Sequence, residues 1–323
     1  MTTAPALLRQ GPITGPAGPA SAGRLLLLTG IAPALWGTTY LISDWLPPDR
    51  PLLAATVRAL PAGLLLLALA PRLPTGSWWW RAAVLGILNI GAFFALLFWA
   101  AYELPGGVAA TLGAVQPLVV AGLSVLLGAE RLRVRTIVAG LGAVVGVGLL
   151  VLRADAALSW SGVAAGLAST VSMAVGVVLT KRWERPAGTA LTTQAGWILT
   201  AGGLFLVPVT LAFEGVPSHV TAGEVSAFAF MVVVTTALAY ALWVNGIARL
   251  PASNVSALAL LSPLVATGIG VAVVGERMTA WQVSGFVLTV ASLLLAQSTL
   301  AGRPSRASSS STLVDKRQSI NHS

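Results

Sequence analysis

The chain has 323 residues, 56% of them hydrophobic and only 9% charged, with a formal net charge of +9 and a mean hydropathy of +0.85. A soluble domain carries about 25% charged residues, so this chain has too little charge to cover a water-facing surface and reads as a polytopic membrane protein. It has no cysteine, which excludes a disulfide framework, a thiolate nucleophile and a Cys-based metal site; the basic balance fits loops at a membrane better than nucleic acid, for which no motif is present.

Taken in order, residues 1–24 are rich in Pro, Gly, Ala and Thr and are expected to form a disordered cytoplasmic lead. The apolar run that follows is too long for a signal-peptide core and is expected to persist as a helix. A bilayer-spanning helix needs about 20 apolar residues. Ten stretches meet that length: 25–43, 52–70, 82–101, 106–127, 134–152, 161–180, 194–212, 225–243, 252–274 and 281–299. The loops between them are short, so neighbouring helices run antiparallel. Residues 301–323 are polar and Ser-rich and are expected to form a disordered cytoplasmic tail.

One stretch occurs twice. LPGGVAATLGAVQPLVVAGLSVLLGAER, from Leu104 to Arg131, returns at a constant offset of 146 residues as LPASNVSALALLSPLVATGIGVAVVGER, from Leu250 to Arg277. The shared Leu-Pro openings, Pro117 and Pro263, Gly122 and Gly268, and the closing Glu-Arg pairs all fall in one frame. Apolar helices share Leu and Val by chance, but not Pro, Gly and Glu-Arg together; the chain is an internal duplication. The repeats are placed at 25–152 and 161–300, joined by an external loop at 153–160.

Lys and Arg give the orientation. With the N-terminus inside, 15 of the 19 basic residues fall in cytoplasmic segments, Arg50, Arg153 and Arg277 fall outside, and Arg58 lies within a span. Both termini are therefore expected in the cytoplasm. With five helices per repeat, the halves enter the membrane from opposite sides. The expected fold is all-α: ten transmembrane helices in two inverted-topology five-helix repeats, the plan of many secondary transporters.

These residues resemble the EamA-type family of the drug/metabolite transporter superfamily. The resemblance rests on Trp36-Gly37, Arg58, Pro117 with Gly128-Ala129-Glu130-Arg131, and Pro263 with Gly275-Glu276-Arg277. The stretches 57–63, 88–91 and 105–112 are similar to its PecM-like, indigoidine-exporter-like branch. The resemblance implies ten helices and export of small metabolites or amino acids; separately, the excess of Arg over Lys with abundant Ala and Gly suggests a bacterial source, so the expected location is the bacterial inner membrane. Met173 stands where the family's second repeat often has Trp.

A proline inside a membrane helix frees the carbonyl four residues back, here of Gly113 for Pro117 and of Ala259 for Pro263. Both prolines are candidates to line a central cavity and let their helices flex; the bland reading is a static kink. Gln116 and Ser262 precede them and face either a wet cavity or another helix. Arg58 is an intramembrane charge, a functional candidate by default; it can equally snorkel outward to Glu103 or a carbonyl. Glu103 and Arg249 hold equivalent repeat positions on opposite sides and are gate candidates, or ordinary loop charges. Trp36, Tyr40, Asn89, Phe93, Thr111 and Tyr240 complete the cavity candidates. Near helix ends, Trp99, Tyr240, Trp243 and the Trp78–Trp80 run fit an aromatic belt. Glu130 and Glu276 read as caps of the helices that follow. Gly142 and Gly146 form a GxxxG that permits close packing.

No catalytic constellation is legible: the histidines, His219 and His322, fall in a loop and the tail, and no span holds two acids. The expected function is a secondary transporter exporting a small organic solute through the lipid bilayer by alternating access, with no cofactor, metal or nucleic-acid partner. A flippase of an amphiphilic solute and a non-transporting regulatory protein are the alternatives. Uniport and proton coupling through a loop acid stay open, as do monomer and homodimer.

Overall fold

The computed structural model describes residues 19–38, 50–103, 112–127, 133–151, 159–217, 219–274 and 278–301. Among these residues all regular structure is helical. The helices are α1 (Pro19–Gly37), α2 (Pro51–Leu69), α3 (Trp78–Gly86, Ile87–Gly91 and Ala92–Glu103 end to end), α4 (Gln116–Leu126), α5 (Val134–Val151), α6 (Trp160–Arg182), α7 (Leu191–Phe213), α8 (Ala222–Phe230, Met231–Leu238 and Ala239–Arg249), α9 (Ala252–Leu258, then Leu261–Ile269 and Gly270–Val274) and α10 (Ala280–Ala301). Among the described residues, seven helical segments are long and apolar enough to cross a membrane; Gly23–Gly37, Gln116–Leu126 and Val134–Leu149 are apolar but shorter.

Several boundaries differ from expectation by a few residues, and two of the differences have a local reason. α1 begins at Pro19 rather than residue 25: Pro is preorganised for a first helical turn, and Ala-Ser-Ala-Gly after it does not stop a helix. α8 continues past Trp243 to Arg249, because no charge or proline interrupts Val244–Ala248.

The principal contacts obey a two-fold exchange of each helix with the one five places on. α2 packs on α7, α5 on α10 and α4 on α9; α1 lies against α8 and α9, and α6 lies against α3 and α4. Glycines set the closest approaches. A Cβ on Gly63 of α2 would stand 2.4 Å from the Thr200 backbone nitrogen of α7. On the face of α5, Cβ atoms at Gly142 and Gly146 would meet the Ser292 and Thr289 hydroxyls of α10 at 2.5 and 2.6 Å. The GxxxG is thus a packing face. One apolar core joins the halves, from Ala55, Leu66 and Ile90 to Ile198, Trp243 and Leu258.

The duplication is visible as backbone irregularity. α3 and α8 each carry a π-helical segment, Ile87–Gly91 and Met231–Leu238, and these overlap at the 146-residue offset of the sequence repeat. α4 and α9 each break just before their proline, with turns at residues 114–115 and 259–260. Short bonds close both breaks: Val115 N–H donates to the Leu112 carbonyl at 3.2 Å, and Leu260 N–H to the Ala257 carbonyl at 3.1 Å. The Ala259 carbonyl, expected to be free beside Pro263, accepts from Ser262 N–H at 3.0 Å. The chain tightens locally instead of leaving that acceptor exposed, as an unpaired carbonyl in hydrocarbon costs several kcal/mol.

Polar contacts tie segments at the two ends of the bundle. At one end the Glu214 carboxylate accepts from Leu52 and Leu53 N–H at 2.7 Å, capping α2. Ser159 and Ser161 donate to Glu103 at 2.6 and 2.9 Å. At the other end Trp197 Nε1–H donates to the Arg72 carbonyl at 2.7 Å, Arg72 reaches the Gly188 carbonyl, and Lys181 reaches that of Leu250. Asn254 and Gln297 join α9 to α10.

Candidate substrate path

Arg58 sits on α2 about two turns from the end capped by Glu214, and it is only 8% exposed. A charge in this setting costs about 3 kcal/mol on insertion scales, so its partners matter. Nε–H donates to the Thr236 hydroxyl at 3.1 Å and Nη2–H to the Thr235 carbonyl at 3.4 Å. Both belong to the π-helical segment of α8. The guanidinium carbon lies 5.2 Å from the Phe94 ring centroid, a cation–π contact worth about 0.5–2 kcal/mol. Glu103, offered by the sequence as a partner, is instead engaged by the two serines. Arg58 therefore crosses from one repeat to the other, and it does so inside the bundle.

Around α6 the groups are polar. Asn89, in the π-helical segment of α3, is 1% exposed; its Nδ2 donates to the Leu85 carbonyl at 2.9 Å, while Oδ1 has no partner among the described residues. Asn89 rests on Gly176, where a Cβ would meet its amide at 2.6 Å. Ser172 donates to the Leu88 carbonyl at 2.9 Å and Thr170 to the Leu112 carbonyl at 3.3 Å. Gln116 and Pro117 are buried at the start of α4, and Gln116 Nε2 lacks a partner among the described residues. Buried unpaired amides are rare enough to point to water or a ligand.

Around α1 the groups are aromatic. Trp36 meets Trp243 edge-on, ring centroids 5.0 Å apart. Tyr240 and Trp243 are 4% and 0% exposed, so neither belongs to an aromatic belt. That reading of the sequence fails because α8 runs on beyond Trp243. Trp78 is also buried, against Trp197 at 5.8 Å, whereas Trp79, Trp80 and Trp99 are exposed as expected. Ser262 and Pro263 are half-buried, and the Ser262 carbonyl stands 2.6 Å from where a Cβ on Gly37 would lie.

Phe93 is half-buried and touches Phe94, which stacks on Phe98. Tyr40 and Thr111 lie outside the described residues, as do Glu130 and Glu276. The two gate candidates occupy opposite ends. Glu103 accepts from the Ser159 and Ser161 hydroxyls at the start of α6, and these hydrogen bonds, Ser159 first, hold its carboxyl below the usual range. Arg249 ends α8, exposed, near Arg185, whose guanidinium is lowered by partial burial and then by the Arg249 charge. Away from all these residues, an open groove of about 440 Å³ is lined by Ala70, Arg72, Gly188 and Thr193.

Sequence reasoning missed Phe94, Ser172, Thr235 and Thr236. The repeat register held a signal for two of them: Phe94 stands at the 146-residue offset from Tyr240, and Thr235 at that offset from Asn89.

The EamA-like transporter family matches residues 24–152 and 160–297. Protein PecM of Dickeya dadantii (strain 3937) is 42% identical over 267 residues, 82% of this chain and 90% of its own. The inner membrane transporter YedA of Escherichia coli (strain K12), itself uncharacterized, is 25% identical over 258 residues, 76% of this chain and 81% of its own. A crystal structure 21% identical in sequence superposes with a TM-score of 0.71, covering 86% of this chain and 97% of that one; the likeness is one of fold. With both halves of the chain matched and a relative of 42% identity spanning most of it, this multi-pass membrane protein belongs to the EamA-like transporter family.

Proposed function

We propose that the chain is a secondary transporter that exports a small organic metabolite or amino acid across the bacterial inner membrane by alternating access. In this reading ten helices cross the bilayer as two inverted five-helix repeats, residues 25–152 and 161–300, with both termini in the cytoplasm. The three shorter apolar helices cross as well, and all three lie in stretches that adjoin residues outside the described set. The solute passes between the polar surface around α6 and the aromatic surface around α1, past Trp36, Asn89, Phe93, Gln116, Tyr240 and Ser262.

One observation carries the reading: two kinds of helix irregularity recur at equivalent positions of the two repeats, while a third π-helical segment, Gly270–Val274 of α9, has none opposite it in Gln116–Leu126 of α4. The π-helical segments of α3 and α8 and the proline breaks of α4 and α9 concentrate weakened helical ladders around the same region. Discontinuous helices at a repeat interface are the recurring architecture of a midplane transport site, and π-helical segments are frequent at functional sites. A static scaffold has no use for matched weak points.

The test is flux. Purified full-length protein in proteoliposomes is expected to move at least one member of a metabolite and amino-acid panel saturably, above empty vesicles. Running the panel with and without a pH gradient separates uniport from proton coupling. Absence of saturable flux for every compound would sink the transporter reading.

A further inference from the structure

Among the described residues the bundle holds a buried cation with no carboxylate against it. No Asp or Glu stands within any of the ten predicted spans, so the acids that remain lie at helix ends or in loops. The described acids at its end of the bundle are engaged elsewhere: Glu214 by the Leu52 and Leu53 amides at the start of α2, Glu103 by Ser159 and Ser161, and Glu224 by the cap at Thr221. Asp44 and Asp49 lie outside the described residues.

The partners Arg58 does have are a neutral hydroxyl, a neutral carbonyl and the Phe94 ring. They fix the plane of the guanidinium without neutralising it. Thr236 holds Nε and Thr235 holds one edge of Nη2, while Phe94 covers a face. Both N–H groups of Nη1 have no partner among the described residues. Of the two edges of a guanidinium that can bind a carboxylate bidentately, Nε with Nη2 is engaged by Thr236 and Thr235, which leaves Nη1 with Nη2. An unneutralised charge in a low-dielectric interior is a site awaiting an anion, and a preoriented fork beside aromatic rings selects a planar one.

We propose that Arg58 is the recognition cation for a carboxylate group on the transported solute, whose apolar body lies along the Phe93–Phe94–Phe98 rings. The proposal names the substrate class of the site proposed above and rests on that reading. Because Thr235 and Thr236 belong to the π-helical segment of α8, a carboxylate that pulls on Arg58 also pulls on the contact between the repeats. Loading is thereby linked to the relative position of α2 and α8.

The experiment reads binding rather than flux. Full-length protein in detergent is heated with benzoate or benzamide, and with phenylacetate or phenylacetamide, at matched ionic strength. Each pair has one shape and differs in charge. The carboxylates are expected to raise the unfolding temperature above that reached with their amides by about 2 °C or more. Arg58→Gln is expected to weaken carboxylate binding roughly ten- to hundredfold, and Arg58→Lys, which keeps the charge but loses the fork, is expected to retain part of it. Carboxylates no better than amides in the wild-type protein, whether both bind or neither does, would overturn the proposal; this readout needs no variant to fold. A carboxylate preference that survives intact in a folded Arg58→Gln protein would also overturn it. Flux of neutral solutes without any carboxylate preference would leave the transporter reading standing and remove only this one.

Discussion

The corner where α1 meets α8 and α9 and the corner where α6 meets α3 and α4 are built on one backbone plan and filled with different chemistry. Each has a π-helical segment, a proline break and small residues at the closest approach. The first is filled with rings: Trp36, Trp243 and Tyr240. The second is filled with amides and hydroxyls: Asn89, Gln116, Thr170 and Ser172. Duplication copied the places where the helices bend. The side chains then diverged, leaving one corner aromatic and the other polar. On the transport reading proposed above, a solute with an apolar body and polar groups would meet both kinds of surface, which a symmetric path would not provide.

The sharpest way to break this comparison is to empty the aromatic corner. Trp243→Ala removes a side chain with no exposure and is expected to cost about 3–5 kcal/mol of stability, read as a lowered unfolding temperature in detergent. A shift too small to measure would mean that the rings do not hold α1 to α8.

The same small substitution in both corners comes next. A Cβ on Gly37 meets the Ser262 carbonyl at 2.6 Å, backbone that cannot step aside; one on Gly166 meets the Leu112 Cδ1 at 2.6 Å, the end of a side chain that can turn. Gly37→Ala should therefore cost about 1–3 kcal/mol and Gly166→Ala clearly less. Equal losses would show that the corners tolerate strain alike and that the contact of α1 with the α9 break is not special. In the polar corner, Ser172→Ala strips a donor from the Leu88 carbonyl and should cost about 1 kcal/mol. If stability is unchanged, water or an altered π-helical segment satisfies that carbonyl.

Much of this arrangement could be read from the chain itself. Leu104–Arg131 against Leu250–Arg277 exposes the duplication because Pro, Gly and Glu-Arg are rare in apolar helices and costly to place. Arg58 and the Gly142–Gly146 face are legible for the same reason. The π-helical segments are not: Ile87–Gly91 and Met231–Leu238 are mostly apolar helix by composition, and the shift from an i−4 to an i−5 partner is decided by what packs on them. Thr236 and Ser172 gain their meaning only from a neighbour, Arg58 or Leu88, far away in sequence. The burial of Tyr240 and Trp243 was hidden by a boundary. Ending the span at Trp243 puts both rings near a membrane surface, whereas a helix that runs to Arg249 draws them into the core.

The smallest expected effect sharpens the contrast between the ends of the bundle. Glu103 and Arg249 are repeat equivalents with opposite charge. Glu103 is held ionised by hydrogen bonds from Ser159 and Ser161, which lower its proton affinity in the folded state. A carboxyl depressed on folding contributes stability above its unfolded pKa and loses it as the pH falls through the folded value. The wild-type protein should therefore lose a little unfolding temperature on acidification below the ordinary glutamate range. The Ser159→Ala, Ser161→Ala double variant should lose less, because its Glu103 is no longer depressed. Glu103 is exposed, so solvent screens the effect and the difference is expected to be near the limit of measurement. Identical acid profiles for the two proteins would show that the serines act at the start of α6 without tuning Glu103, and would leave Arg185, lowered by partial burial and then by the Arg249 charge, as the perturbed group at the opposite end.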